Sequence, residues 1–172
     1  MKKRALKILL LFLLLFLVGC KEPQTEEEII SDFLDKRAKL QNYQEEFIQA
    51  GDRILIDGSL EKNDAKEKDI KELEEILKDL KALMVEREFE RYMEKRSFFN
   101  EDFIRGVYDY CDIKDISCEE VSAEDNNKVY DVKYQEVLSL EGKIKEERTH
   151  NIMITLEKKG RSWKIAYIMN DE

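Results

Sequence analysis

The stretch KVYDVKYQEVLSL, residues 128–140, decides the fold class. Tyr130, Val132, Tyr134, Leu138 and Leu140 keep to alternate positions, and the positions between them are mostly polar. A period of two places these side chains on one face of an extended strand, because successive Cβ atoms point to opposite sides. The alternation returns twice downstream. From about Arg148 to Lys158 it buries Ile152, Ile154 and Leu156, and from Ser162 to Asn170 it buries Trp163, Ile165, Tyr167 and Met169. A weaker strand is expected upstream, near Ile116 to Ser122. A three-residue loop at Gly142-Lys143-Ile144 places Tyr134 opposite Ile152 and Val132 opposite Ile154. A two-residue loop at Lys159-Gly160 places Leu156 opposite Trp163, Ile154 opposite Ile165 and Ile152 opposite Tyr167. Every pair is apolar, so the register is consistent with one buried face. An antiparallel meander of three to four strands follows, and its apolar face needs a cover.

The cover lies upstream. From Glu26 the apolar residues Ile29, Ile30, Phe33, Leu34, Leu40, Tyr43, Phe47 and Ile54 form one helical stripe, with Glu26, Glu27 and Glu28 suited to the positive end of the helix dipole. The stripe ends at the turn residues Asp57-Gly58-Ser59. Asp64 with Glu67 three residues on resembles a capping box, and Ile70, Leu73, Leu77, Leu80 and Met84 follow at heptad-like spacing. Val85, Phe89 and Tyr92 continue that second helix on a slightly rotated face. The two helices are expected to form an antiparallel hairpin with coiled-coil character. The alternating charges of residues 61–81 read as a solvated helix face. Asn100 caps a third helix over Glu101 to Tyr110, with Phe103, Val107 and Tyr110 inward. The fold class is therefore α+β: a long helical hairpin (26–96), then a short helix and sheet (97–172) sharing one core with it. With six glycines and one proline in 172 residues, few sharp turns are available and long elements are expected.

The N-terminus carries the clearest address. Met1-Lys2-Lys3-Arg4 precedes an unbroken apolar run from Ile8 to Val18, which closes on Leu17-Val18-Gly19-Cys20. Cations remain on the cytoplasmic side, the apolar run enters the bilayer, and small Gly19 admits a peptidase to the bond before Cys20. Residues 5–18 number fourteen, short of the roughly 20 that a spanning helix needs. The segment resembles a bacterial lipoprotein signal. That resemblance implies that residues 1–19 are removed, that Cys20 carries diacylglyceryl and further acyl chains, and that residues 20–25 are a lipidated tether. At about 0.8 kcal/mol per buried methylene, one chain anchors marginally and two or three hold stably. It further implies a cell-envelope location. With Lys21 rather than aspartate beside the lipid, the outer membrane is expected in a host with two membranes, and otherwise the outer face of the plasma membrane.

Removing residues 1–20 takes away four of 30 basic residues and none of 39 acidic ones, so the mature net charge is −13. A polyanion gains nothing from phosphate counterion release, so no nucleic acid partner is expected. Anionic headgroups should repel the body as a whole. The partners expected are the membrane, through the acyl chains, and an envelope protein; oligomeric state is not legible.

Helices followed by a curved meander, with the last hairpin reading Lys-Lys-Gly160-Arg-Ser-Trp163-Lys164-Ile165, also resemble the cone-shaped α+β superfamily named for nuclear transport factor two. The resemblance covers about residues 65–170 and implies helices over a concave sheet with a cavity inside.

Chemistry-bearing residues are few. His150 is the single histidine, no HExxH, P-loop or GxSxG motif occurs, and no cofactor or metal is expected. Once Cys20 is acylated, Cys111 and Cys118 remain, open to two readings: a disulfide, permitted by export, or two small buried thiols. The expected register sets Glu136 directly opposite His150, a carboxylate and imidazole in the arrangement of general-base catalysis. The structural alternative is a solvated cross-strand charge cluster with Glu146 and Arg148. Tyr130, Tyr134, Trp163 and Tyr167 are candidates to line a ligand cavity, or else are core residues. No catalytic residue is assigned. The expected function is a binding or structural envelope module, with a small-ligand binder and a hydrolase or isomerase using Glu136 and His150 as the alternatives.

Overall fold

A computed structural model describes residues 24–43, 67–95 and 98–170. The expected leader, Cys20, the expected tether up to Pro23 and the expected turn at Asp57-Gly58-Ser59 lie outside the described residues. Helix α1 spans Glu26–Asn42, α2 Glu67–Leu83, α3 Glu86–Glu94 and α4 Glu101–Ile104; strands β1 Tyr110–Glu124, β2 Asn127–Leu140, β3 Lys143–Lys159 and β4 Ser162–Asn170 follow. The class is α+β, with helices on the N-terminal side and one four-stranded antiparallel sheet in the order β1-β2-β3-β4.

Helix α1 begins where its sequence stops it from fraying. The Glu28 amide donates to Thr25 Oγ1 at 3.2 Å while the Thr25 amide donates to Glu28 Oε2 at 2.8 Å, a reciprocal capping box. Its stripe of Ile29, Ile30, Phe33, Leu34 and Leu40 is buried, with Leu73, Leu77 and Leu80 of α2, on Tyr130, Val132, Tyr134, Ile152, Ile154, Leu156 and Ile165 of the sheet. Lys36 pairs with Asp79 and the Tyr43 hydroxyl with Glu72, so later residues of α1 meet earlier residues of α2.

The expected second helix does not run on to Tyr92. It breaks at Met84-Val85, where Met84 bridges Ile165 in parallel and the Val85 amide donates to the Ile165 carbonyl at 2.8 Å. The edge of β4 needs partners for its backbone, and two extended residues supply them better than another helical turn. The expected helix 101–110 is shorter still. Gly106 takes φ +68°, the left-handed conformation that closes a helix, and the Asp109 amide donates to the Ser139 carbonyl at 2.9 Å. Phe103 is half-buried, whereas Val107 and Tyr110 are exposed, and Tyr108 takes the buried place. Tyr108, Cys111, Leu138 and Ala38 form a second, smaller apolar cluster.

Both hairpin registers differ from the expected ones, by two residues between β2 and β3 and at Leu156 of the second hairpin, and by three beyond the bulge in that hairpin. Strand β2 meets β3 through Tyr130↔Ile154, Val132↔Ile152 and Tyr134↔His150, because the turn is Glu141-Gly142, with φ +52° and +71°, followed by a bulge at Leu138/Ser139. A slip of two preserves the face, so the apolar assignments on β2 and β3 hold while the partners change. Strand β4 pairs Leu156↔Ile165 around a Gly160-Arg161 turn, and then a bulge at Thr155/Leu156 changes its parity. Beyond the bulge Ile168 turns inward, and Tyr167 and Met169, both expected inside, are each 44% exposed.

Candidate functional site

Beneath α1 the apolar core gives way to a polar cluster. Arg37 and Gln41, four residues apart on the buried side of α1, face Tyr134 and Glu136 of β2, His150 of β3 and Cys111 of β1. Arg37 Nη1 donates to the Tyr134 hydroxyl at 2.9 Å, and the Tyr134 ring stacks on His150 with centroids 5.0 Å apart and planes 20° apart. His150 Nε2 lies 3.2 Å from Glu136 Oε2, and Cys111 Sγ lies 3.8 Å from Glu136 Oε1.

The expected Glu136–His150 contact therefore exists, with a different geometry. Glu136 stands opposite Arg148 and reaches His150 on the diagonal. Arg148 is engaged elsewhere: its guanidinium donates to Glu146 at 2.8 and 2.9 Å, and the Tyr108 hydroxyl also donates to Glu146. These donors pull the Glu146 carboxyl down to about 2. Nor is Glu136 part of a solvated charge cluster, since its side chain is 6% exposed against 32% for His150.

Burial pushes the Glu136 carboxyl upward, but the hydrogen bond and charge of His150, the charge of Arg37 and a hydrogen bond from Gln41 outweigh it. The net direction is below the ordinary carboxylate value, so Glu136 is a buried anion held by the charge of Arg37 and by hydrogen bonds from His150 and Gln41. Cys111 responds the other way. Burial and the Glu136 charge raise its thiol to about 12, so it is a protonated donor and no nucleophile. Gln41 Oε1 and the Tyr92 hydroxyl are buried without a hydrogen-bond partner among the described residues. Chemically, the cluster can orient an imidazole against a carboxylate, but it brings no activated nucleophile to it.

The other candidate residues separate. Tyr130 and Tyr134 are core; Trp163 is half-buried at the core margin, with Lys128 and Lys158 over its ring at 5.4 and 5.7 Å. Tyr167 lies on the opposite face of the sheet, its ring 4.3 Å from the Arg91 guanidinium. They do not line a common cavity. A depression of about 480 Å³ is found instead on that opposite face, bordered by Arg87, Ser122, Asn127, Val129 and Tyr167. Cys111 and Cys118 are both free and both on β1. Seven positions of extended chain separate them by about 23 Å, where a disulfide needs Cα atoms within about 7 Å. The bridged reading is thereby corrected.

No family model, curated protein or solved structure matches this chain. Among the described residues no helix is long and apolar enough to cross a membrane, and no group of three histidine, cysteine or acidic side chains is placed to hold a metal. The members of the polar cluster that sequence reasoning passed over are Arg37 and Gln41. Their signal was available: they occupy stripe positions of α1, between Leu34 and Leu40 and just after it, where a polar residue must find a buried partner.

Proposed function

We propose that this chain is a lipid-anchored lipoprotein of the bacterial cell envelope that acts through binding or structural contacts, without catalysis. One observation carries the proposal: Leu17-Val18-Gly19-Cys20 stands at the end of a short apolar run behind three cations. The fold is compatible with it. The capping box at Thr25 starts the folded body five residues after Cys20, a span of at most about 18 Å. We read α1 and α2 as the arms of a helical hairpin, with the helices covering the sheet as in the cone-shaped superfamily.

Intact-mass analysis of protein extracted from its native membrane tests the anchor. A mass of residues 20–172 plus two or three acyl chains is expected, and Cys20→Ser should abolish both cleavage and lipid. A mass retaining residues 1–19 without lipid would refute the proposal. The binding role is tested by cross-linking on intact cells followed by purification through the lipoprotein, where one envelope protein recovered in fixed ratio is the expected result. Recovery of the monomer alone would count against it.

A further inference from the structure

The acidic body has one projecting end of opposite sign. The first residue of β2, Asn127, pairs with Glu157, and β3 and β4 continue beyond it through Lys158↔Trp163 and Lys159↔Ser162 around Gly160-Arg161. The β1–β2 turn reaches the level of Lys158, whose amide donates to the Asn126 carbonyl at 2.8 Å, and the β3–β4 hairpin projects past that turn by the Lys159↔Ser162 pair and Gly160-Arg161. The projecting tip carries Lys159 and Arg161 and no acid, with Lys158 at its base and Lys164 just inside it, while the chain as a whole has a net charge of −9.

Position matters as much as sign. Lys128, next to Asn127 on β2, donates to Glu26 Oε1 at 2.8 Å and meets Glu120 at 3.2 Å. Glu26 opens α1, so the chain leaves the folded body toward Cys20 beside this tip. The neighbouring acids are partly spent: Glu26 on Lys128, and Glu157 on Lys159 at 2.6 Å. Glu27, Glu124 and Asp125 remain exposed nearby, on α1 and at the β1–β2 turn, whose Asn126 lies beside Lys158 and short of the Gly160-Arg161 turn. Lys158, Arg161 and Lys164 form no ion pair with another described residue, and Lys158 instead lies over Trp163. A tryptophan flanked by cations is the side-chain combination favoured at a membrane–water interface.

We infer that the Lys158–Trp163 tip of the β3–β4 hairpin docks on anionic lipid headgroups of the bilayer that holds the anchor, and so sets the orientation of the body on the membrane. The inference rests on the lipid-anchor reading. It reverses locally the repulsion expected from overall charge, because screening within about 8 Å at physiological salt lets a projecting tip feel the surface more than the distant acids do.

The single tryptophan makes the test direct. Full-length acylated protein is reconstituted in phosphatidylcholine vesicles with brominated acyl chains, with and without phosphatidylglycerol, and Trp163 fluorescence is read. Quenching is expected only with phosphatidylglycerol and should be relieved by about 1 M salt, where the screening length falls to about 3 Å. Lys158→Gln with Arg161→Gln, both exposed, should weaken docking roughly 25-fold, at about fivefold per cation. Unquenched fluorescence, or quenching indifferent to lipid charge and salt, on protein that still floats with the vesicles would overturn the docking alone. Protein that carries no acyl chain and fails to float overturns the anchor and the docking with it.

Discussion

Glu136 is the residue on which most of the buried polar chemistry depends. It accepts from His150 and lies beside Arg37 and Gln41, so truncation leaves cationic and amide groups in the interior without their anion. Glu136→Ala should therefore cost about 3 kcal/mol in urea unfolding, as breaking a buried pair does. Because the folded carboxyl lies below its ordinary value of 4.5, its contribution is fully present above about pH 4.5 and is lost as pH falls through the folded value. Glu136→Gln should flatten the acid side of the stability–pH profile, and an unchanged profile would show that other carboxylates dominate it. Cys111 gives a second check at this scale. With its thiol held near 12 and 1% exposed, it should stay unreactive toward a disulfide reagent in the native protein while Cys118 reacts, and reductant should leave the mass unchanged. Alternation in residues 128–140 correctly marks Tyr130, Val132 and Tyr134 as inward, yet it cannot say that Glu136 is inward as an anion with partners, because those partners lie on another element.

Among the elements, β4 shows how an edge strand is closed by side chains rather than by another strand. Buried Glu88 of α3 accepts from the Ile168 amide at 3.0 Å and from Arg91 Nε at 2.7 Å, while Arg91 Nη2 donates to the Ile168 carbonyl at 2.9 Å. Together with Val85 on Ile165, these bonds occupy the backbone groups that would otherwise pair with a foreign strand. Glu88→Ala should speed amide exchange at Ile168 at least tenfold and lower stability by about 2 kcal/mol, the cost of unsatisfied buried groups. Unchanged exchange at Ile168 would refute the clamp. This device also explains the misplaced helix end. The apolar series through Met84, Val85, Phe89 and Tyr92 is continuous in sequence, and only the demand of the β4 edge for a partner interrupts the helix between α2 and α3. The bulge at Thr155/Leu156 is similarly silent in sequence, since Tyr167 and Ile168 are equally apolar and either could be the inward one.

For the whole molecule, one core unites α1, α2, α3 and the sheet, so unfolding should be a single cooperative transition. Leu77→Ala, at a fully buried position of α2, should cost 2–5 kcal/mol without splitting the transition. A second transition in calorimetry would instead mean that the helices and sheet melt separately. The sequence by itself determined that helices precede an antiparallel sheet, the apolar faces of β2 and β3 and the start of α1 at Glu26, because periodicity and helix-end charge act between residues a few positions apart. It also contains the whole of the lipoprotein resemblance, which needs no fold. Tertiary structure alone decided the strand partners, the break at Met84-Val85, the end of α4 at Gly106, the outward turn of Tyr167 and the gathering of Arg37, Gln41 and Cys111 around Glu136. Each of these depends on a backbone or charged group supplied from far along the chain, and no local pattern records which distant group satisfies it.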